Sequence, residues 1–290
     1  MISSDMIRQT TQLCDYLGLT EEPFGIFYAN TKPEPGFGPK IGVPISRALE
    51  QKGEIDWAAV TQNFSCFIGN IWLARKKKCA AYISAEQYGC MGGGYYTGVI
   101  NPYIEFITYY VSTGMPNTPI HGERYMPSPE TMRNFLETVN PGPAPKPYCI
   151  AKPLSTFTEN ESADIVIFFL RPESLSGFFT LASFTTGNPH GVVAPFGAGC
   201  TNIVAWPLYY MRKGEEVAVL GGFDPSMRKF MKTDELTFAI PMPLYQKILL
   251  AMPDSLLATP TWNMVQRKID KSKKVWGEIS QSLDMSKKGK

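Results

Sequence analysis

The sequence predicts a mixed α/β (α+β) protein built from two related halves, on three observations. Two apolar runs, PFGIFYA at 23–29 and ADIVIFFL at 163–170, have the length and composition of buried strands. Helical segments alternate with short strand-length runs along the chain. Each half also repeats one order of features: an aromatic-rich strand, a long excursion, a cysteine opening an apolar segment with a basic end, a short strand, and a Gly-rich turn. The cysteines at matched places are Cys66 and Cys200.

With 290 residues, 44% of them hydrophobic, the chain can bury one large core. It is expected to form a single domain, with halves at 20–115 and 160–245 and closing helices over 246–290. Charged residues make up 19%, below the roughly 25% usual for soluble chains. Disorder is therefore not expected, and a cleft or a homo-oligomer interface would account for the missing charge. A net charge of +2 gives no field that would imply nucleic acid. No run approaches the roughly 18 to 20 apolar residues that span a bilayer, and the N-terminus lacks a signal-peptide core. A cytoplasmic protein without a membrane partner is expected. In a reducing compartment its six cysteines would be thiols, each a small buried hydrophobe, a reactive group or a metal ligand.

The elements follow in order. An amphipathic helix is predicted over 4–17, ended by Gly18, and then the first strand. Residues 32–44 hold four prolines and three glycines and read as a loop. Short helical turns are expected at 46–51 and 57–62, and a helix over 66–76 whose basic end suits its dipole. A strand at 79–84 leads into the turn YGCMGGGYYTG. Residues 103–111 are helix or strand. A helix over 129–139 has Ser128 as cap and Pro129 in its first turn, and 140–147 is a proline-rich connector. The second half gives a strand at 163–170, a helix from Pro172 to about residue 184, and a loop over 187–199. Cys200 then opens an apolar segment in which Pro207 would start a new helix. Strands at 216–220 and 235–240, a short helix at 225–231, and helices over 243–252 and about 260–274 complete the chain.

No phosphate-binding loop, dinucleotide fingerprint, HExxH, GxSxG or CxxC is present. His121 and His190, the two histidines, sit beside glycine or proline in loops and read as surface residues. The unusual segment is 88–98. Gly92, Gly93 and Gly94 would let the backbone adopt positive φ and form an anion-holding nest, next to which a Cys90 thiolate would have a depressed pKa. Cys66 and Cys200, at segment starts, would be acidified in the same way. Three thiolates suit a soft metal or an iron–sulfur cluster with one open position. Cys14, Cys79 and Cys149 read as structural.

Three stretches carry a family resemblance: PFGIFYAN, FSCFIGNIWLARKKKCAAYISAEQYGCMGGGYYTGV and GCTNIVAWPLYYMRKGEEVAVLGGFDPSMRKFMKTDELTFAIP. The chain resembles the uncharacterised family called domain of unknown function 169, the archaeal conserved region. The resemblance implies family cysteines at Cys66, Cys90 and Cys200, a glycine-bearing turn, an arginine at Arg228, an acidic residue at Glu235 and a proline at Pro241. It also implies a prokaryotic, often anaerobic setting, and no agreed activity. Cys79 departs from an expected glycine, and residues 223–227 lengthen a usually compact turn.

Two functions follow as expectations. One is a cysteine-ligated iron–sulfur or soft-metal centre with a redox or substrate-binding role, using Cys66, Cys90 and Cys200 with Gly92–Gly94 as outer donors. The other is a cofactor-free protein or enzyme for a small anionic ligand. There the glycine turn and Arg228 would bind the charge, and Tyr95, Tyr96, Trp72 and Trp206 would line a pocket.

Overall fold

The computed structural model describes residues 2–39, 45–62 and 65–288, without side chains for 60–62 and 281–288. Residues 40–44 of the expected 32–44 loop lie outside the described residues. The architecture is mixed α/β, with a single eight-stranded sheet among the described residues. No described helix is long and apolar enough to cross a membrane.

The first half runs α1 (Ser4–Leu17), β1 (Phe24–Ala29), β2 (Gly36–Phe37), α2 (Arg47–Lys52), α3 (Trp57–Gln62), α4 (Phe67–Lys77), β3 (Ala80–Ser84), α5 (Met91–Tyr96), α6 (Ile104–Val111), α7 (Pro129–Thr138) and β4 (Tyr148–Pro153). The second runs β5 (Ile165–Leu170), α8 (Pro172–Thr186), β6 (Val192–Val193), a π-helical turn (Thr201–Ala205), α9 (Trp206–Lys213), β7 (Ala218–Gly221), a 3-10 turn (Pro225–Phe230), β8 (Leu236–Pro241), α10 (Met242–Ala251) and α11 (Pro260–Lys288).

Local chemistry sets the boundaries. Ser3 and Ser128 cap α1 and α7 through their side chains. Gly18, Gly187 and Gly214 end α1, α8 and α9 in the left-handed conformation. Pro207 stands in the first turn of α9, where its missing N–H costs nothing. Residues 103–111, ambiguous in sequence, are the helix α6. Strand β4 was not expected at all, because its lysine and terminal proline lie beside a proline-rich connector.

The strand order is β2-β3-β4-β1-β5-β8-β7-β6, and it reads the same from either edge. The edge pairs β2–β3 and β6–β7 are parallel and every other pair is antiparallel. At the centre β1 meets β5 with Gly25 opposite Val166. The four strands of one half therefore map onto the four of the other about a pseudo-twofold through that pair. The first set extends through Pro153, well beyond residue 115.

Alternating side chains divide the core in two. On one face Ile26, Ile83, Ile165 and Ile167 pack with Phe67, Ile71, Phe106, Leu136 and Ile203. On the other, Val166, Phe168, Phe238 and Ile240 pack with Leu13, Phe178, Leu181 and Ile248. The first face carries helices from both halves; Cys66 and Cys200 pack there, and Cys90 lines a hollow walled by residues of the same layer.

A thiol-lined hollow as candidate functional site

A hollow of about 300 Å3 opens on the first face. Cys66 and Cys90 line it, with Met91, Gly92 and Tyr96 of α5, Phe106 and Tyr110 of α6, and Met132 of α7. The second half contributes Phe196, Ala198, Asp224, Ser226, Lys229 and Phe230. A larger groove, about 720 Å3, runs between the β3 end and the 140–148 connector, but neither cysteine nor histidine lines it.

Each sulfur is placed by a local element. Cys66 is the N-cap residue of α4, and Cys200 stands immediately before the π-helical turn, a feature frequent at functional sites. Cys90 caps α5, its Sγ accepting the Gly93 N–H at 3.2 Å. Gly89 brings the Cys66 and Cys90 segments together. Its φ is +70°, and an added Cβ would stand 2.2 Å from the Ser65 carbonyl oxygen. Gly89→Ala is expected to cost about 2 to 3 kcal/mol, from a strained left-handed alanine plus this backbone clash. Denaturant unfolding measures it; a loss below about 0.5 kcal/mol would show that the two segments do not depend on the close approach.

The glycine triplet is not the expected nest. Gly92, Gly93 and Gly94 lie inside helix α5, none with positive φ, because Cys90 caps a helical turn there. Gly94 is small for packing reasons: a Cβ would meet Ile100 at 2.4 Å. The triplet provides one N–H to Cys90 and close packing, not an anion cradle.

The sulfur acidities also run opposite to expectation. Burial, followed by the charge of Cys66, pushes Cys90 up to about 12, and the Gly93 N–H only partly offsets this. Burial raises Cys200 well above its ordinary value, with Cys66 and Cys90 adding to the effect. Burial raises Cys66 as well; the Ile68 and Gly69 amides pull it back in part, without a cap hydrogen bond of regular geometry. Desolvation outweighs the helix N-termini. These are neutral thiols at pH 7, not activated nucleophiles.

The three cysteines lie within electrostatic reach of one another, although they are separated widely in sequence. Cys66 and Cys90 face the hollow, and Cys200, 4% exposed, lies in the packed layer behind its wall. Among the described residues no group of three or more His, Cys, Asp or Glu side chains is arranged to hold a metal ion.

Other expected site residues are employed elsewhere. Arg228 donates to the carbonyls of Gly222, Lys232, Thr233 and Glu235 at 2.6–3.0 Å. It thereby ties down the turn that carries Asp224, and it does not line the hollow. Tyr95 donates to the Leu136 carbonyl and Trp206 to that of Phe196. Trp72 lies under Lys76. Of the four expected aromatics, Tyr96 alone lines the hollow. His121 and His190 are exposed, away from it.

Two carboxyls on the hollow were not anticipated. Asp224 is buried; its oxygens accept the N–H groups of Gly199 and Ser226 and the Ser226 hydroxyl. Glu123 follows α6 in a segment that folds back along it, the Glu123 N–H bonding the Tyr110 carbonyl at 2.7 Å. Burial of the Glu123 carboxyl against the wall, then the charge of Asp224, raises it to about 7. The residue as a whole is exposed, so solvent access limits the energetic consequence. No sequence motif marks Glu123.

A raised carboxyl favours the folded state at low pH, and that advantage is lost as pH rises from about 4.5 to about 7. Glu123→Gln removes the loss. The variant is expected to melt about one or two degrees above the parent at pH 8 and level with it at pH 4. Equal melting of the two proteins at both pH values would mean the carboxyl is not held high.

Fold and hollow together define a mixed α/β protein with a pseudo-twofold sheet and a thiol-lined, aromatic-walled pocket on one face. The chain belongs to the uncharacterised ArCR family, domain of unknown function 169, whose model matches residues 12–250. The match spans both strand sets, the hollow and all three cysteines. No curated protein and no solved structure matches the chain.

Proposed function

We propose that the hollow houses a cysteine-ligated iron–sulfur or other soft-metal centre, with Cys66, Cys90 and Cys200 as ligands and room in front for a small molecule. The observation that carries this reading is the assembly of three distant cysteines on one face of the sheet, two on the wall of a single hollow. Thiolates select soft metals, and metal binding displaces their protons. A single ion is the poorer fit, since the described side chains form no group that could hold one. A multi-iron cluster occupies the space between its ligands, so they stand farther apart. The Gly93 N–H on Cys90 is the type of bond that tunes cluster potentials. Such a centre would supply electron transfer, or an open position for substrate. All six cysteines are free thiols, which suits a reducing cytoplasm.

Anaerobic purification, with iron, zinc and sulfide analysis and a visible spectrum, tests the reading. Bound iron with comparable sulfide and a visible absorption band that bleaches in air is expected. A colourless preparation lacking iron, zinc and sulfide overturns it.

The aromatic walls of Phe106, Tyr110, Phe196 and Phe230 favour a second reading, cofactor-free binding of a small molecule. Arg228 is committed to carbonyls, so an anionic group on the guest would pair with Lys229 and a cationic one with Asp224 or Glu123, all three lining the hollow. A co-purifying organic molecule in metal-free protein, identified by mass spectrometry, would support it.

A further inference from the structure

We propose that the hollow binds an α-amino acid with an apolar side chain, its carboxylate paired with Lys229 and its ammonium with Glu123. This rests on the small-molecule reading above and needs no metal. The distribution of polarity over the wall carries the inference. Glu123 and Lys229 both line the hollow and are exposed residues, so they stand at its mouth. The interior is apolar: Met91, Tyr96, Phe106 and Met132 are each no more than 6% exposed, and burial keeps the adjoining Cys66 and Cys90 thiols neutral. A guest matching this wall carries opposite charges at one end and an apolar body at the other. That is the plan of an apolar α-amino acid.

Neither charge at the mouth is used within the protein. Among the described residues Lys229 is in no ion pair, and its ammonium lies 5.1 Å over the ring of Phe230, itself part of the wall. The Glu123 carboxyl accepts no hydrogen bond among the described residues. Asp224, in contrast, is engaged by Gly199, Ser226 and the Tyr125 phenol, so it serves the fold rather than the guest. It caps the turn Pro225–Phe230 that carries Lys229, and Arg228 clamps the same turn to four carbonyls. Glu123 is held equally firmly: the N–H groups of Glu123, Arg124 and Tyr125 bond the carbonyls of Tyr110, Ser112 and Val111 at 2.7, 3.1 and 3.0 Å. Both charges thus stand on fixed backbone before a guest arrives, which lowers the ordering cost of binding.

Size and surface narrow the class. A volume of about 300 Å3 is at the lower end of small-molecule pockets and suits one amino acid rather than a nucleotide. Two methionines beside aromatic rings make a soft, polarizable interior that favours a thioether or another ring. Methionine and phenylalanine are therefore the best-matched guests.

The test titrates the full-length protein, after exhaustive dialysis, with L-phenylalanine, L-methionine, glycine, phenethylamine and 3-phenylpropanoate. Calorimetry is used, with ligand-observed magnetic resonance for weak probes, at pH 8, where the Glu123 carboxyl, raised to about 7, is ionised. L-Phenylalanine or L-methionine is expected to bind at least about tenfold more tightly than the other three probes, the scale of one charge-assisted hydrogen bond. Lys229→Met should weaken the amino acid at least about tenfold and leave phenethylamine unchanged, whereas Glu123→Gln should do so and leave 3-phenylpropanoate unchanged. Circular dichroism checks that both variants fold. Phenethylamine or 3-phenylpropanoate binding as tightly as L-phenylalanine would overturn the amino-acid assignment and leave the small-molecule reading standing. So would variants that weaken all probes alike. If neither amino acid binds, the assignment is overturned, and mass spectrometry of the undialysed protein decides the wider reading: another co-purifying organic molecule keeps it, and empty protein removes both.

Discussion

Cys200→Ala, purified anaerobically, is expected to retain its fold and to lose at least about tenfold in bound iron relative to the parent, as removal of a ligand must exceed the loss of an outer partner. Cys200 is the most discriminating of the three. Cys66 and Cys90 face the hollow and could influence a bound metal merely by contact, whereas Cys200 lies behind the wall among Ile203, Val204 and the Ile68 layer. If it is only a packed hydrophobe, its truncation costs a small cavity and leaves metal content unchanged. Cys14→Ala is the control, since that thiol is buried on the opposite face of the sheet. Unchanged iron in Cys200→Ala, with the same content in Cys14→Ala, would remove Cys200 from the ligand set.

Glu235→Ala is expected to destabilise the protein by about 3 kcal/mol or more, the range for breaking a buried ion pair, lowering the melting temperature by roughly 6 to 12 °C at this chain size. Arg75 is 8% exposed in its side chain and Glu235 4%. The guanidinium meets Glu235 through two hydrogen bonds, at 2.7 and 2.9 Å, and stands over the Phe169 ring at 3.8 Å. Glu21 remains as a second partner from the surface, which places the expected loss at the lower end of that range. The pair links α4, whose N-cap residue is Cys66, to the loop bound by Arg228. The variant should therefore also loosen the Asp224 turn, seen as faster amide exchange at Gly222 and Met231. The pair Arg75→Met with Glu235→Leu should recover part of the loss, since no charge is then stranded. A loss below about 1 kcal/mol for Glu235→Ala would show that water reaches Arg75 freely.

Arg228 and Glu235 acquire a physical meaning from this network. Arg228 looked like a group for ligand charge when read along the chain, because an arginine fork is a binding group wherever solvent or ligand can reach it; Glu235 was expected only as an acidic residue implied by the family resemblance. Arg228 instead closes the loop between β7 and β8 upon its own carbonyls, and Glu235 neutralises a buried arginine. The glycine triplet misled for a similar reason. Three glycines permit a nest, but a capping Cys90 and the tight approach of Ile100 to Gly94 favour a helical turn. Glu123 had no signal at all, since its role depends on the chain folding back along α6.

Elements whose causes are local could be read along the chain. The apolar runs became β1 and β5, serine caps and left-handed glycines bounded α1, α7, α8 and α9, and Pro207 opened α9. The chain also carried the repeat of Cys66 and Cys200 ahead of matched strands. Packing between distant segments was needed to show that β4 exists and completes a palindromic sheet, that Cys66 and Cys90 share a wall with two carboxyls, and that burial raises their thiols. Hydrogen bonding along a helix or at a cap is settled within a few residues. Desolvation and pocket shape, in contrast, sum over neighbours contributed by segments far apart in the chain.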